Sequence, residues 1–303
     1  MLAIDHAKLR LRSQHLGRPP VTGTVRRLAS LLVATSLLRA CDSRYRAFNE
    51  LWFDRQVDGL RSVWGSPDGQ IWAVGTNIVV HFDGRTWDTT KVDNDLYDVH
   101  GCSSTDVWAV GKSSAKTLHF DGVSWKTVRP GTSSALNAVW CNRPDDVWVG
   151  GRHGYVFHFD GTSWTPFKLG HNGLDDVDVW DIWSGGGGRT WFASNLGVFV
   201  HDTDKWGEYA VPELSPRKLA GRPAAGDVEI WLVAGKSILR RSEFNVSAPW
   251  TAAHVASQRL GSLLINDRLG LHVASGRTTL LETAHGWEEH PEPHEGGRQI
   301  RGM

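Results

Sequence analysis

The sequence predicts an all-β protein made of repeated four-stranded units arranged as a β-propeller. A pattern of V-W-G, then D-V-W-A-V-G, then H-F-D-G-x-S-W begins at residues 60–87 and returns, with small changes, at 97–125 and 137–164. Weaker copies continue to residue 287. A tryptophan marks the second strand of the first five copies, at Trp72, Trp108, Trp148, Trp191 and Trp231. Their spacing of about forty residues is typical of propeller blades or of helical arrays.

The residue types within each copy favour strands over helices. β-Branched and aromatic residues dominate, and no window has apolar residues at helical spacing. In the first copy, strands are predicted at 61–65, 70–75, 77–82 and 87–92. Gly, Asn, Pro and Asp separate them, and these residues form turns because they accept or fix the required φ or bond their own downstream amides. The strands are apolar on both faces, as stacked sheets require.

The repeats predict six four-stranded blades. The count becomes seven if Trp52 and Trp287 belong to separate partial blades. The segment around Trp52 has the position of a fourth strand whose first three are missing. We therefore expect this N-terminal strand to complete the last blade and close the ring, which would remove exposed sheet edges.

The N-terminal region predicts export. Two arginines precede an apolar run at residues 28–38, which has the length of a signal h-region and is too short to span a bilayer. The sequence Leu38-Arg39-Ala40-Cys41 resembles a bacterial lipoprotein cleavage box, although Arg39 departs from the usual small residue. Ordinary signal cleavage or an uncleaved amphipathic tail is the alternative. The predicted organisation is a signal peptide at 1–40, a tether at 41–48, a propeller at 49–287 and a disordered tail at 288–303.

Export with lipidation of Cys41 would place the protein in the bacterial cell envelope, in the periplasm or on the cell surface. Asp42 resembles an inner-membrane retention signal, and the choice between inner and outer membrane stays open. In an oxidising compartment Cys102 and Cys141 are candidates for a disulfide, because they follow corresponding strands of consecutive repeats. Two buried free thiols are the alternative.

Composition excludes one class of partner. Lys plus Arg and Asp plus Glu both number 33, so no net charge attracts nucleic acid. The chain has 16 tryptophans, and their fixed repeat positions indicate packing between blades. His81, His119 and His158 are also repeat positions. Successive blades stand roughly 10 Å apart, too far for these imidazoles to share a metal ion, so each is expected to bond a neighbouring turn.

The repeat pattern resembles the Trp-rich β-propeller repeats of exported bacterial lipoproteins and surface proteins. It is also similar to the Asp-box hairpins of sialidase-type propellers, in which Ser or Thr, Asp, Gly and Trp lock a turn. The resemblance covers roughly residues 49–287 and implies an architecture, with no single activity attached to it.

The turns differ between the two faces of the expected disc. Turns joining strands one to two and three to four repeat Asp-Gly, whereas those on the opposite face vary, and variable loops carry function more often than the scaffold. The binding-face candidates are Lys112, Arg152, His153, Asp175, Asp176 and Asp178. The three aspartates are also a calcium candidate, although such a loop is more often a solvated turn, and no metal is predicted.

Asp98, His100, Asp181 and Lys218 are expected to face the central channel and come nearest to a general acid and base set. The alternative is that each carboxylate accepts a neighbouring strand's amide or binds water. Glycosidases need two carboxylates roughly 5–10 Å apart, whereas these lie across or well around the channel. A sialidase set of three arginines and a tyrosine is also missing, because Arg61 and Tyr97 are isolated in the sequence.

These observations predict a membrane-anchored, extracytoplasmic propeller that binds or scaffolds a protein or other ligand without catalysis. We expect a monomer without a cofactor, since no cofactor-coordinating set is evident. The alternative is a glycan-binding or glycan-cleaving propeller that uses the aromatic channel mouth, because tryptophan rings suit sugar rings.

Overall fold

The structure is a computed structural model, and it describes residues 59–291 apart from 171–176, 186–187, 212–214, 225–226, 246–247, 267–269, 276–277 and 284. Within these residues the chain is built of antiparallel strands, and its helical content is two 3₁₀ turns, at Ser114–Lys116 and Arg152–Gly154. No helix of this described part is long and apolar enough to cross a membrane. The predicted all-β class is therefore confirmed.

The strands of the described residues, in chain order, are β1 (Leu60–Gly65), β2 (Ile71–Phe82), β3 (Trp87–Ser103), β4 (Asp106–Gly111), β5 (Thr117–Phe120), β6 (Trp125–Val128), β7 (Leu136–Arg143), β8 (Asp146–Gly151), β9 (Tyr155–Phe159), β10 (Trp164–Lys168), β11 (Val179–Ser184), β12 (Arg189–Ser194), β13 (Val198–Asp202), β14 (Lys205–Tyr209), β15 (Pro216–Ala224), β16 (Asp227–Ala234), β17 (Ser237–Ser242), β18 (Thr251–Val255), β19 (Ser262–Asn266), β20 (Gly270–Ser275), β21 (Thr278–Thr283) and β22 (Gly286–Pro291).

These strands form five sheets, of which β1–β6 make one and β7–β10, β11–β14, β15–β18 and β19–β22 make the others. The four-stranded blade is confirmed, but the predicted number of six or seven blades is wrong, because the first two sequence repeats share one sheet. The reason is β3, a strand of 17 residues that pairs with β2 through its first part and with β4 through its second. A continuous extended backbone thus joins two repeats.

The last sheet also corrects the predicted closure. Its four strands, β19–β22, all come from the C-terminal part of the described chain, so the fourth position is filled by β22 and not by an N-terminal strand. Trp52 itself lies outside the described residues. Because β22 continues to Pro291, strand structure extends past residue 287, the predicted end of the propeller, into the tail predicted at 288–303. The remainder of that tail lies outside the described residues.

The hydrophobic core lies between neighbouring blades. Trp108 of β4 packs with Leu136 and Val149 of the next blade, and Trp191 of β12 packs with Leu219 and Ile230. The five repeated tryptophans are all buried, as predicted. Each ring removes roughly 150–250 Å² from water, a transfer free energy of roughly 4–6 kcal/mol. One sheet alone would leave this surface exposed, so the repeats stabilise one another.

The repeated histidines belong to this packing. Asp106 accepts hydrogen bonds from Trp108 Nε1 at 2.8 Å and from His119 Nε2 at 2.8 Å, and the imidazole stacks on the indole with ring centroids 3.9 Å apart. Asp146, Trp148 and His158 form the same arrangement. The expectation that these histidines bond a neighbouring turn is refined, because the partner is the residue two positions before the tryptophan. It is an aspartate for His119 and His158, and for His81 it is Gln70, whose Oε1 lies 2.8 Å from Nε2.

The fifth repeat keeps this chemistry with other residues. Glu229 accepts from Arg240 Nη1 at 3.3 Å, and the guanidinium of Arg240 lies 5.7 Å from the ring centroid of Trp231. An acid, a base and an indole therefore recur where the sequence repeat itself is weak. Unlike Trp108, however, Trp231 has a buried Nε1 with no hydrogen-bond partner among the described residues.

The Asp-Gly turns form as expected. Asp83 Oδ1 accepts the backbone N–H groups of Arg85 and Thr86, both at 2.7 Å, and Asp121 and Asp160 do the same in their repeats. These bonds hold the pKa of Asp83 below its usual value, because they stabilise the carboxylate. The aspartates therefore stay ionised at one face of the disc.

Candidate functional site

Each of the first five inner strands begins with a β-bulge. The register shifts fall between Leu60 and Ser62, Leu96 and Asp98, Leu136 and Ala138, Val179 and Asp181, and Pro216 and Lys218. A bulge leaves one residue out of the ladder and redirects its side chain. The residues so placed are Arg61, Tyr97, Asn137, Trp180 and Arg217. We call these five the channel mouth, because they lie where the inner strands begin.

Residues of the channel mouth make contacts between neighbouring inner strands. The guanidinium of Arg61 lies 4.7 Å from the ring centroid of Tyr97, and that of Arg217 lies 4.0 Å from that of Trp180. Asn137 Nδ2 donates to the carbonyl of Val179 at 2.9 Å. The expectation that Arg61 and Tyr97 are isolated is therefore wrong, because neighbouring inner strands bring them together.

The inner strands enclose a central channel with a cavity of about 210 Å³. Residues of β1, β3, β7, β11, β15 and β19 line it, and the four predicted channel residues Asp98, His100, Asp181 and Lys218 are all among them. The sheets thus surround one axis, as blades of a propeller do.

Both channel carboxylates connect neighbouring blades. Asp98 accepts from Ser62 Oγ at 2.7 Å and from the backbone N–H of Val139 at 3.0 Å. Asp181 accepts from Lys218 Nζ at 2.9 Å and from the N–H of Leu219 at 2.8 Å. Each of the four carboxylate oxygens therefore accepts a hydrogen bond. As the alternative interpretation expected, each carboxylate accepts the backbone amide of a neighbouring strand.

Burial sets the charges of this network. It raises the pKa of Asp98 and of Asp181, and the ammonium of Lys218 opposes both shifts. Burial alone would lower the pKa of Lys218, but Asp181 and Asp98 together raise it further than burial lowers it. Lys218 thus remains an ammonium, and its charge favours the ionised forms of Asp181 and Asp98.

His100 is a neutral acceptor in the channel. Its Nδ1 accepts the backbone N–H of Cys141 at 3.1 Å, and its ring stacks on Trp140 with centroids 4.1 Å apart. Burial lowers the pKa of His100 to about 3. Such an imidazole is a weak base near neutral pH, where general base catalysis requires a pKa close to the operating pH.

Replacing His100 with Asn should flatten the acid dependence of stability. The unfolded histidine binds a proton near pH 6.5 and the folded one only near pH 3, so the unfolded state holds more protons between these values. Unfolding free energy is therefore lost as pH falls through this window. His100→Asn keeps an acceptor for Cys141 without titrating. Urea unfolding at several pH values measures the slope, and an unchanged slope would contradict this assignment.

A disulfide joins Cys102 of β3 to Cys141 of β7, with Cα atoms 5.1 Å apart. It links the second repeat to the third beside the His100 hydrogen bond. In the described residues, Asp106 and the two cysteines are the group whose metal-type ligand atoms lie within 4.8 Å of one another. The sulfurs are bonded to each other and so are not free thiolates.

Four of the six binding-face candidates can be placed. Lys112 and Arg152 are exposed, while their backbone N–H groups donate to Asp95 O at 2.9 Å and Ala135 O at 3.0 Å. The backbone of His153 has a left-handed conformation, with φ 57°, and its N–H donates to Asp178 Oδ1 at 3.3 Å. These turns lie on the same side of the disc as the channel mouth, and we call this side the mouth face. Asp175 and Asp176 lie outside the described residues, so the calcium candidate stays a prediction.

The channel mouth was not among the predicted site residues. A signal for it exists in the sequence, since the residue before each aligned channel position is large and polar or aromatic in five repeats. That signal gains meaning only with the bulge, because regular alternation would turn these side chains away from the channel.

The five sheets around one channel define the molecule as a β-propeller. No family model and no curated protein matches the chain. Among solved structures it is similar to virginiamycin B lyase from Staphylococcus aureus, with 16% identity, a TM-score of 0.65, and coverage of 78% of this chain and 85% of that one.

Two further similar structures share the fold. The extracellular domain of BT3049 from B. thetaiotaomicron, named as a hybrid two-component system, has 12% identity and a TM-score of 0.62 over 78% of this chain and 35% of that one. YCF48 bound to D1 peptide has 15% identity and a TM-score of 0.58 over 76% and 80%. At these identities the likeness shows the fold alone.

Proposed function

We propose that this propeller is an exported, lipid-anchored module of the bacterial cell envelope that binds a protein or other ligand on its mouth face and has no catalysis of its own. The observation that carries the proposal is the channel mouth. Five bulges at one register position direct Arg61, Tyr97, Asn137, Trp180 and Arg217 to one end of the channel. Bulges commonly re-aim side chains at functional sites.

The channel network supports binding over catalysis. Asp98 and Asp181 use their oxygens to connect neighbouring inner strands, and His100 is held neutral by burial. A general acid or base needs a free proton-transfer position within reach of substrate. We infer that these residues stabilise the contacts between neighbouring inner strands.

Export and anchoring rest on the N-terminal signal pattern and on the disulfide. Cys41 lies outside the described residues, so its lipidation is a proposal from sequence alone. The Cys102–Cys141 disulfide is typical of a protein in an oxidising compartment. The similarity to an extracellular domain agrees with this location.

Crosslinking and pulldown from intact cells, with the lipid-anchored form, tests the proposal. Reversing charge on the mouth face with Lys112→Glu and Arg152→Glu should abolish capture of a specific partner. Arg85→Glu, an exposed change in a turn of the opposite face, is the matched control and should leave capture intact. Equal capture by all three proteins would contradict binding at the mouth face.

A glycan ligand is the second candidate, favoured by the aromatic rings of Tyr97 and Trp180 at the channel mouth. Flat rings suit the apolar faces of sugars. A glycan-cleaving enzyme would lose turnover in Asp98→Asn or Asp181→Asn. A glycan-binding module would keep its affinity in these variants, and a hydrolysis assay beside a binding assay separates the two.

A further inference from the structure

A second cavity adjoins the channel mouth. It has a volume of about 350 Å³ and is lined by Trp180, Arg217, Lys218, Arg259, Leu260 and Gly261. These residues come from β11, from β15 and from the segment leading to β19, so three neighbouring blades form it. Its size falls within the range of roughly 300–1,000 Å³ that is typical of small-ligand sites. Of the predicted binding-face residues that the structure describes, none lines this pocket.

The polar side chains among the described residues that line the pocket are hydrogen-bond donors. They are two guanidinium groups, one ammonium and one indole. The ammonium of Lys218 is already engaged by Asp181. The pocket also contains the guanidinium groups of Arg217 and Arg259, and a guanidinium matches an oxyanion through two parallel N–H donors.

Arg217 is held in place before any ligand binds. Its guanidinium lies 4.0 Å from the ring centroid of Trp180, a cation–π contact that fixes the plane of the donors. Such preorganisation lowers the entropic cost of binding. Burial lowers the pKa of Arg217, the neighbouring Arg259 lowers it further, and Asp178 acts in the opposite direction. A bound anion would offset the repulsion between the two arginines.

We propose that the pocket formed by Trp180, Arg217 and Arg259 binds an oxyanion, a carboxylate or phosphate group, of a small ligand. The inference deepens the proposed binding function and rests on it only for the biological use of the pocket. Arg217 contacts the oxyanion through its guanidinium, and Arg259 supplies the second positive charge.

Calorimetric titration of the folded protein at low salt tests this proposal with three probes, glucuronate, inorganic phosphate and glucose. At least one of the two anions should bind, more weakly as salt is raised, and neutral glucose should not bind. Whichever anion binds identifies the source of the oxyanion. Arg217→Met keeps much of the side-chain length over Trp180 and should weaken binding about tenfold or more.

Arg143→Met is the matched control. Arg143 lies on the opposite face with 65% of its side chain exposed, and its replacement should leave affinity unchanged. Thermal melting establishes that each variant is folded, and Arg259→Gln provides the same comparison if Arg217→Met does not fold. Failure of both anions to bind, or equal binding by wild type and the pocket variants, would overturn the oxyanion site. Partner capture by the mouth face would be unaffected by that result, so the two proposals fail separately.

Discussion

Removing the disulfide with Cys102→Ala and Cys141→Ala is expected to lower the free energy of unfolding by about 3–4 kcal/mol. The bridge spans 39 residues and restricts the unfolded chain, so its loss increases the entropy of the unfolded state. It also releases β3 from β7, two inner strands of neighbouring repeats. Urea unfolding of the oxidised protein in a Cys41→Ser background measures the difference.

Reductant serves as the control for this prediction. Reductant should lower the unfolding free energy of the protein that keeps both cysteines by a similar amount, and it should leave that of the double variant unchanged. A titration of thiols in the unreduced, denatured Cys41→Ser protein should find none. Two free thiols, or unfolding free energies that do not differ, would show that the bridge does not form or does not stabilise the fold.

The strand pattern could be read from the sequence because its signals are local. Trp72 and its equivalents mark buried strands, and Asp83 and its equivalents form turns with amides two and three residues ahead. The number of sheets could not be read in this way. Whether two repeats share a sheet depends on the short connection at Asp93–Asp95, which stays extended within β3. Nothing in the local residue types distinguishes such a connection from a loop.

The same distinction explains what was predicted of the site. Asp98, Asp181 and Lys218 could be placed in the channel because they have the same position within their repeats, and equivalent repeat positions occupy equivalent places in the fold. Their pairing, however, depends on which backbone amide each neighbouring strand presents. The contact of Arg61 with Tyr97 depends on bulges, and a bulge is a relation between two strands that no single strand reveals.

The channel network provides the second large expected effect. Lys218→Met should lower the free energy of unfolding at pH 7 by about 2–3 kcal/mol. Breaking a buried ion pair by removing one partner costs roughly 3–5 kcal/mol, because the remaining charge is uncompensated. The side chain of Lys218 is 31% exposed and that of Asp181 is 12% exposed, so solvent reduces the loss. Urea unfolding at pH 7 measures it.

The pH dependence of this variant distinguishes lost charge compensation from lost packing. Burial already raises the pKa of Asp181, and without the ammonium that pKa should rise further. The folded state then holds protons that the unfolded state releases above about pH 4, so stability is lost as pH rises through this range. The deficit of Lys218→Met should therefore shrink at acid pH, where Asp181 is protonated. Adding Asp181→Asn should recover part of the loss at pH 7, whereas a packing defect would remain the same at every pH and in the double variant.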